Sequence, residues 1–299
     1  MGYIEIMKQR AGEAFGRLHD GVQSVEATDF PDHANIGDAA IAAGQFRFWE
    51  EAGIRVRGVS SFHTMPRRVY DASEPVFING GGNFGGLYPV HSAHRHALAE
   101  RLPSSTLLLQ GPQSVHWHSD ADREEFRRKM AVRPNLRIAV RDHESYAALE
   151  NDVEHLFLSP DAVHHLGLLP SPDPVAREIR LVRRDPEATG SLGDGIDWPK
   201  DLPLDRMTAW LTHRTKELPA LRSVIPTTPS LWSGRSARRL QRGVEILSRG
   251  ETVVTDRLHA MLIGLQMGRR VVVKDNSIGK LRKYYDTWLS DTGADITWL

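Results

Sequence analysis

The chain has 299 residues, 40% of them hydrophobic, and this size and composition favour two domains of ordinary size. Its 38 basic and 38 acidic side chains give no net charge, which argues against a general nucleic-acid binder, and its lack of cysteine excludes disulfides, thiolate metal sites and cysteine nucleophiles. The opening segment carries Glu5, Lys8 and Arg10 rather than an apolar core, and no stretch approaches the ~20 apolar residues of a spanning helix. We therefore expect no signal peptide and a cytoplasmic protein, either free or resting on the inner face of a membrane.

The first part of the chain alternates short apolar strands with helices. A leading helix and approach loop are predicted over residues 1–27. The alternation that follows favours a parallel, doubly wound sheet. Helices are predicted at 39–52, 92–101, 124–130 and 144–150, and strands at 54–60, 75–79, 106–110, 136–140 and 155–158.

The segment 169–174 is the predicted linker, because its three prolines block a helix and favour an exposed connection. We therefore predict two Rossmann-like α/β domains, 1–170 and 171–299, that face each other across a cleft. In such folds ligands bind beyond the carboxyl ends of the strands. In the second domain, strands are predicted at 179–182, 252–255 and 270–273, helices at 206–211 and 236–248, and a partly mobile segment at 186–203.

Residues 252–268 combine a β-branched strand with a helix. We predict that Thr255 or Asp256 caps this helix and that Arg257 and His259 lie in its first turn. A helix N-terminus attracts anions through its free N–H groups and its dipole, whereas cations there oppose the dipole. An arginine and a histidine at this place therefore indicate a phosphate or carboxylate site beside a group that can move protons.

Two further motifs precede predicted helices. In Asn35-Ile36-Gly37-Asp38, the last residue either caps the helix or holds a sugar hydroxyl together with Asn35. The five glycines within 80–86, with Asn83, favour a close backbone approach to a ligand over a plain tight turn.

Polar residues also follow two other predicted strands. Arg141 either grips a carboxylate or phosphate through its planar guanidinium or forms an ordinary surface salt bridge. Asn276 and Lys280 are placed for an anion or a sugar, or else belong to a polar turn and helix start.

Two remaining groups of side chains carry weaker signals. The histidines from His91 to His165 lack the paired carboxylates of a metal site, so we expect surface or scaffold roles and no metal. The basic cluster at 235–242 is most simply a solvated helix face, or else a contact for an anionic lipid surface or a diphosphate carrier.

Taken together, these motifs resemble the polysaccharide pyruvyl transferase family. They follow the family's order from about residue 35 to residue 280, and the resemblance implies a two-domain fold like that of the GT-B glycosyltransferases. The residues that carry the resemblance are 35–38, 80–83, 141–145, 159–161, 255–260, 275–276 and Lys280.

The resemblance implies phosphoenolpyruvate as the donor and a sugar with two free hydroxyls as the acceptor, in a free or lipid-linked cell-surface glycan precursor. The product is then a cyclic pyruvate ketal, with release of phosphate. By the same resemblance, Arg141, Arg257 and His259 form the catalytic donor site. The further residues expected to bind donor or acceptor are Asn35, Asp38, Gly81, Gly82, Asn83, Ser145, Asn276 and Lys280.

The residue types suit this chemistry. Phosphoenolpyruvate needs fixed positive charge, and its methylene carbon needs a proton, for which His259 is the expected general acid. Asp38 or Asp256 is the expected base, and the scheme requires no cofactor. A glycosyltransferase that uses a nucleotide sugar is one alternative, and it predicts binding of a nucleoside diphosphate. A non-catalytic scaffold is another, and it predicts that Arg257→Ala and His259→Ala leave function intact.

Overall fold

The computed structural model describes residues 2–184, 188, 192–218, 220 and 225–299. Within these residues, the chain forms two sheets of parallel strands, each flanked by helices, which confirms the predicted Rossmann-like α/β class. The first sheet spans residues 24–158 and the second spans 176–298. The domain division between residues 170 and 171 stays a prediction, and the predicted mobile segment 186–203 lies partly outside the described residues.

The first sheet has the strand order β2-β1-β3-β5-β6-β7, with β4 paired to the far end of β5. The order reverses between β1 and β3, and at such a switch point a crevice opens beyond the carboxyl ends of the strands. The strands are β1 (Ser24–Thr28), β2 (Arg55–Val59), β3 (Val76–Ile78), β4 (Gly81–Phe84), β5 (Leu108–Val115), β6 (Leu136–Val140) and β7 (Leu156–Leu158).

An approach loop was predicted at the end of residues 1–27, and this prediction is wrong. That part of the chain forms strand β1, which lies in the interior of the sheet. Glu26 interrupts its apolar pattern and hides it from sequence reasoning. The carboxylate of Glu26 is buried, but the Arg68 guanidinium lies 2.8 Å away and balances its charge. Helices of this part are α1 (Tyr3–Leu18), α2 (Ile36–Glu51), α3 (Pro89–Arg101), α4 (Asp120–Phe126) and α5 (His143–Leu149).

The second sheet has the order β11-β10-β9-β8, and all its strands are parallel. Its helices extend further than predicted, and the short strand β11 was not predicted. The elements are β8 (Ala176–Leu181), α6 (Pro203–Glu217), α7 (Pro229–Leu247), β9 (Gly250–Thr255), α8 (Leu258–Gln266), β10 (Arg270–Val273), α9 (Lys280–Tyr284) and β11 (Ile296–Trp298).

Helix α2 brings the two sheets together. Its residues Ile36 and Ala40 share one core with Leu258 and Met261 of α8. On another side, a Cβ at Gly44 would lie only 2.0 Å from the carbonyl oxygen of Ala162, so only glycine permits this approach. The start of α2 therefore lies beside the start of α8. Among the described residues, we find no helix long and apolar enough to cross a membrane.

Candidate active site

A polar cavity of about 380 Å³ opens beyond the strand ends, with walls from both parts of the chain. This volume is in the range of small-molecule sites. The predicted site residues on its wall are Asn35, Asp38, Gly82, Asn83, Arg141, Arg257, His259 and Lys280. The residues that the sequence reasoning missed there include His33, Tyr88, His91, Arg183 and Trp198.

The side chain of Arg141 is buried, so its ion pair is not an ordinary surface salt bridge. Its NH1 donates to Asp161 Oδ2 at 2.7 Å, and its Nε donates to Ser114 Oγ at 2.9 Å. The same Asp161 oxygen lies 3.2 Å from His259 Nε2. One carboxylate thus joins the arginine after β6 to the histidine of α8.

Asp161 stays ionised in this cluster. Burial by itself raises the pKa of the carboxyl group, but the charge and hydrogen bond of His259 and the charge of Arg141 outweigh it, and the pKa lies well below its usual range. A fixed carboxylate can orient the imidazole through Nε2. The other ring nitrogen, Nδ1, lies against Gly37 at the start of α2.

A buried hydrogen-bond chain holds Asp161 from behind. The hydroxyl of Tyr284 accepts from the Asp161 N–H at 2.9 Å and lies 2.8 Å from His164 Nε2. Burial lowers the pKa of His164 to about 4 and raises that of Tyr284 well above its usual value. His164 is therefore neutral and accepts a hydrogen bond from the tyrosine hydroxyl. The buried hydrogen-bond chain thus adds no further charge behind Asp161.

The predicted cap of helix α8 is wrong, since the capping position is Arg257. Thr255 Oγ1 instead accepts from the Arg257 N–H at 3.0 Å, and Asp256 Oδ1 accepts from the Arg183 N–H at 2.8 Å. The bond from Arg183 ties the loop that follows β8 to the end of β9. His259 lies in the first turn as predicted, and Arg257 NH2 donates to Asp197 Oδ2 at 2.7 Å.

Glycines let the charged side chains meet. A Cβ at Gly37 would lie 2.6 Å from His259 Nδ1, so only glycine lets α2 start against this imidazole. A Cβ at Gly82 would lie 3.0 Å from Arg141 NH2 and 3.3 Å from Lys280 Nζ. The glycine run thus makes room for two cations on the wall.

The start of α2 corrects one of its two interpretations, the cap at Asp38. Asn35, not Asp38, caps the helix, because its side chain accepts from the Gly37 N–H at 2.9 Å. Asp38 faces the cavity, with His33 Nε2 3.7 Å from its Oδ2. Of the described residues on the wall, Asp38 is the one carboxylate, against four arginine and lysine side chains.

Three predicted residues lie outside the cavity wall. Ser145 Oγ accepts from the Val115 N–H at 2.8 Å and so ties α5 to β5. Asn276 Oδ1 accepts from the Lys280 N–H at 3.0 Å at the start of α9. Gly81 has a φ of 148° and lies behind the wall, next to Asp38.

His91, expected to be scaffold, lies on the wall and pairs with a buried aspartate, as His259 does. Its Nδ1 lies 2.9 Å from Asp29 Oδ1 and 3.1 Å from Asn83 Nδ2. Asp29 directly follows β1. Burial raises the pKa of its carboxyl group, but the hydrogen bond and charge of His91 and the charge of Arg95 outweigh this effect, so the pKa lies below its usual value. Because strand β1 was not predicted, sequence reasoning had no ground for placing Asp29 at the site.

The described residues contain no group of three or more histidine, aspartate or glutamate side chains that could hold a metal ion. The wall offers instead guanidinium, ammonium and imidazole groups. It is therefore suited to a small, dense anion next to a polar, uncharged partner.

The chain is similar to proteins of one known family. The sequence model of the family described as polysaccharide pyruvyl transferase matches residues 35–278. EpsO of Bacillus subtilis, whose name describes it as a pyruvyl transferase, is 29% identical over 87% of this chain and 84% of its own. Pyruvyl transferase 1 of Schizosaccharomyces pombe is 29% identical over 92% of this chain and 72% of its own. A crystal structure of an uncharacterized Klebsiella pneumoniae protein covers 98% of both chains with a TM-score of 0.66 at 17% identity, a likeness of fold.

Proposed function

The chain belongs to the polysaccharide pyruvyl transferase family, and we propose that it makes a cyclic pyruvate ketal on a sugar from phosphoenolpyruvate. The family match confirms the resemblance expected from the motifs and supports a transferase that acts on a polysaccharide. The observation that carries the finer proposal is the cluster of Arg141, Asp161 and His259 on a cationic wall.

The donor is assigned to the cationic side of the cavity. Phosphoenolpyruvate carries a carboxylate and a phosphate, and Arg141, Arg257 and Lys280 on the wall supply fixed positive charge for both. Hydrogen-bond donors and cations that are held in place before the reaction stabilise the negative charge that grows on the leaving phosphate. We therefore assign these three side chains to donor binding.

In the proposed reaction, His259 as an imidazolium gives its proton to the methylene carbon, which becomes the methyl group. C2 gains oxocarbenium character, and a sugar hydroxyl oxygen attacks it while a base takes the hydroxyl proton. The C2–O bond to phosphate then breaks with its electron pair. A second hydroxyl of the same sugar closes the ring at C2 and loses its proton, so no oxidant, metal or cofactor is required.

Asp38 is our assignment for the base that takes the first hydroxyl proton. It lies on the cavity wall, one residue from the contact between Gly37 and His259. Asp256 does not line the cavity, because its carboxylate accepts from the backbone of Arg183. We assign Asp38 and His91, which both line the cavity, to the acceptor sugar.

A thermal shift measurement tests the donor. A ligand that binds only the folded state raises the melting temperature by mass action. We expect phosphoenolpyruvate to stabilise the protein, Arg257→Ala to abolish this shift, and Arg128→Ala, a matched change at an exposed arginine away from the cavity, to keep it. Stabilisation by UDP or GDP but not by phosphoenolpyruvate contradicts the proposal and favours a nucleotide-sugar glycosyltransferase.

A further inference from the structure

Helix α6 turns its polar side toward the protein and its apolar side toward the solvent. Asp205 and Thr212 are buried, at 2% and 4% exposure. Monomeric proteins rarely leave a contiguous apolar patch of this kind uncovered. The large apolar side chains of this surface, which we call the α6 face, are Leu204, Met207, Trp210, Leu211, Leu218 and Leu231, each between 40% and 58% exposed.

Polar contacts with α7 fix this orientation. Arg238 NH2 donates to the buried Asp205 at 2.7 Å, and Arg235 NH2 donates to Thr208 Oγ1. Rolling α6 to bury its apolar side chains would break the pairing of a buried carboxylate, which is costly. An apolar groove of about 320 Å³ between the two helices continues the surface toward Trp232.

Positive charge surrounds the α6 face. Arg206 and Arg214 are exposed on α6, and the Arg214 guanidinium lies 5.1 Å from the ring of Trp210. Among the side chains of α6 that the structure describes, Asp205 is the one acidic group, and it points inward. Exposed apolar side chains with tryptophan and arginine characterise helices that lie in the interface of a bilayer, and anionic headgroups attract such arginines.

We propose that the α6 face docks the protein on an anionic phospholipid membrane. Helix α7 links this face to the active site, because Arg239 donates to the carbonyl of Pro31 at 3.2 Å, two residues before His33 of the cavity wall. Docking therefore holds the cavity near the membrane. The inference concerns the surface alone, so it holds or fails independently of the donor and of the ketal chemistry.

Vesicle flotation of the full chain tests the apolar contribution. We expect binding to vesicles of phosphatidylcholine mixed with phosphatidylglycerol, and a loss on the order of 100-fold in the triple variant Met207→Ser, Trp210→Ser, Leu211→Ser. The matched control is Val132→Ser, Leu168→Ser, Val175→Ser, which removes three still more exposed apolar side chains elsewhere and should bind like the parent.

The same assay tests the charge contribution. Arginines near an anionic surface each add roughly fivefold in affinity, so we expect about 20-fold weaker binding to pure phosphatidylcholine. The variant Arg206→Ser, Arg214→Ser should lose this preference, and added salt should weaken the parent's binding.

Three outcomes overturn the proposal. One is flotation with anionic vesicles no better than with neutral ones. Another is a triple variant of the α6 face that binds like the parent. The last is a dimer in sedimentation that this triple variant dissociates, since the α6 face then pairs with a second copy of the chain. Phosphate release from phosphoenolpyruvate in the presence of an acceptor sugar, measured on the same samples without vesicles, reports separately on the proposed reaction.

Discussion

Of the described residues, two histidines on the cavity wall, His259 and His91, each pair with a buried aspartate, and the two pairs differ in what surrounds the carboxylate. Asp161 accepts from Arg141 at 2.7 Å in addition to its contact with His259. Asp29 lies 2.9 Å from His91, and Arg95 lies further away, at 3.6 Å. The first carboxylate thus accepts from an arginine of the cavity wall, whereas the second pair lies beside the amide of Asn83. The comparison teaches that the same two residue types can lie in different electrostatic surroundings, and our proposal of a donor role for the first pair rests on those surroundings.

The largest expected effect is the loss of the acid of the first pair. We predict that His259→Ala lowers kcat for phosphate release about 10³-fold, since a positioned acid typically contributes 10²–10⁴-fold. Steady-state phosphate release with saturating donor measures this, with the melting temperature as a check on folding. A His259→Ala enzyme within a few-fold of the parent would remove the distinction between the two pairs.

The next effect sharpens the choice of base. We predict that Asp38→Asn lowers kcat about 100-fold, because an amide does not take the hydroxyl proton. Asp256→Asn is the matched control and should keep most of kcat, since this carboxylate does not line the cavity. Equal losses in the two variants would contradict the assignment, and so would equal retention of activity.

A buried, neutral histidine lies behind each pair, His164 behind the first and His94 behind the second. Because of these two histidines, we predict that the protein loses stability in acid. Burial lowers the pKa values of His164 and His94 from 6.5 to about 4, so below pH 6.5 the unfolded chain binds protons that the folded chain does not. Each group should therefore lower the free energy of unfolding by about 2 kcal/mol between pH 6.5 and pH 5.

Urea unfolding at several pH values measures this loss. His164→Gln and His94→Gln should each make the pH dependence in this range shallower. His143→Gln, at an exposed histidine, is the control and should leave the slope unchanged. A slope that neither buried variant alters would show that other groups cause the acid sensitivity.

The smallest effect concerns the second pair. We predict that His91→Ala lowers kcat/KM for the acceptor about tenfold, while the thermal shift with phosphoenolpyruvate stays as in the parent. His259→Ala provides the contrast, because it should change the chemical step and not only the use of acceptor. A loss of donor binding in His91→Ala would mean that both pairs serve the donor.

Much of the fold was predictable because its signals are local. The apolar runs of β3, β6 and β9 show in the sequence, and so do helices α2 and α8, although the capping residue predicted for each helix was wrong. Strand β1 was missed because Glu26 breaks its pattern, and a distant arginine supplies the compensation. The cap of α8 was assigned wrongly because Thr255 and Asp256 found backbone partners outside the helix.

The sequence by itself determined the alternation of strands and helices, the family and the cations at the start of α8. Only the tertiary structure decided which side chains share a carboxylate. Asp161 meets Arg141 across 20 positions and His259 across 98, while His91 and Asp29 are 62 positions apart. Periodicity and capping act within a few residues, whereas such partners depend on which strand ends and helix starts meet in space. Position 37 shows the same limit of local sequence signals. Only glycine fits there, because the imidazole of His259 on another helix leaves no room for a Cβ.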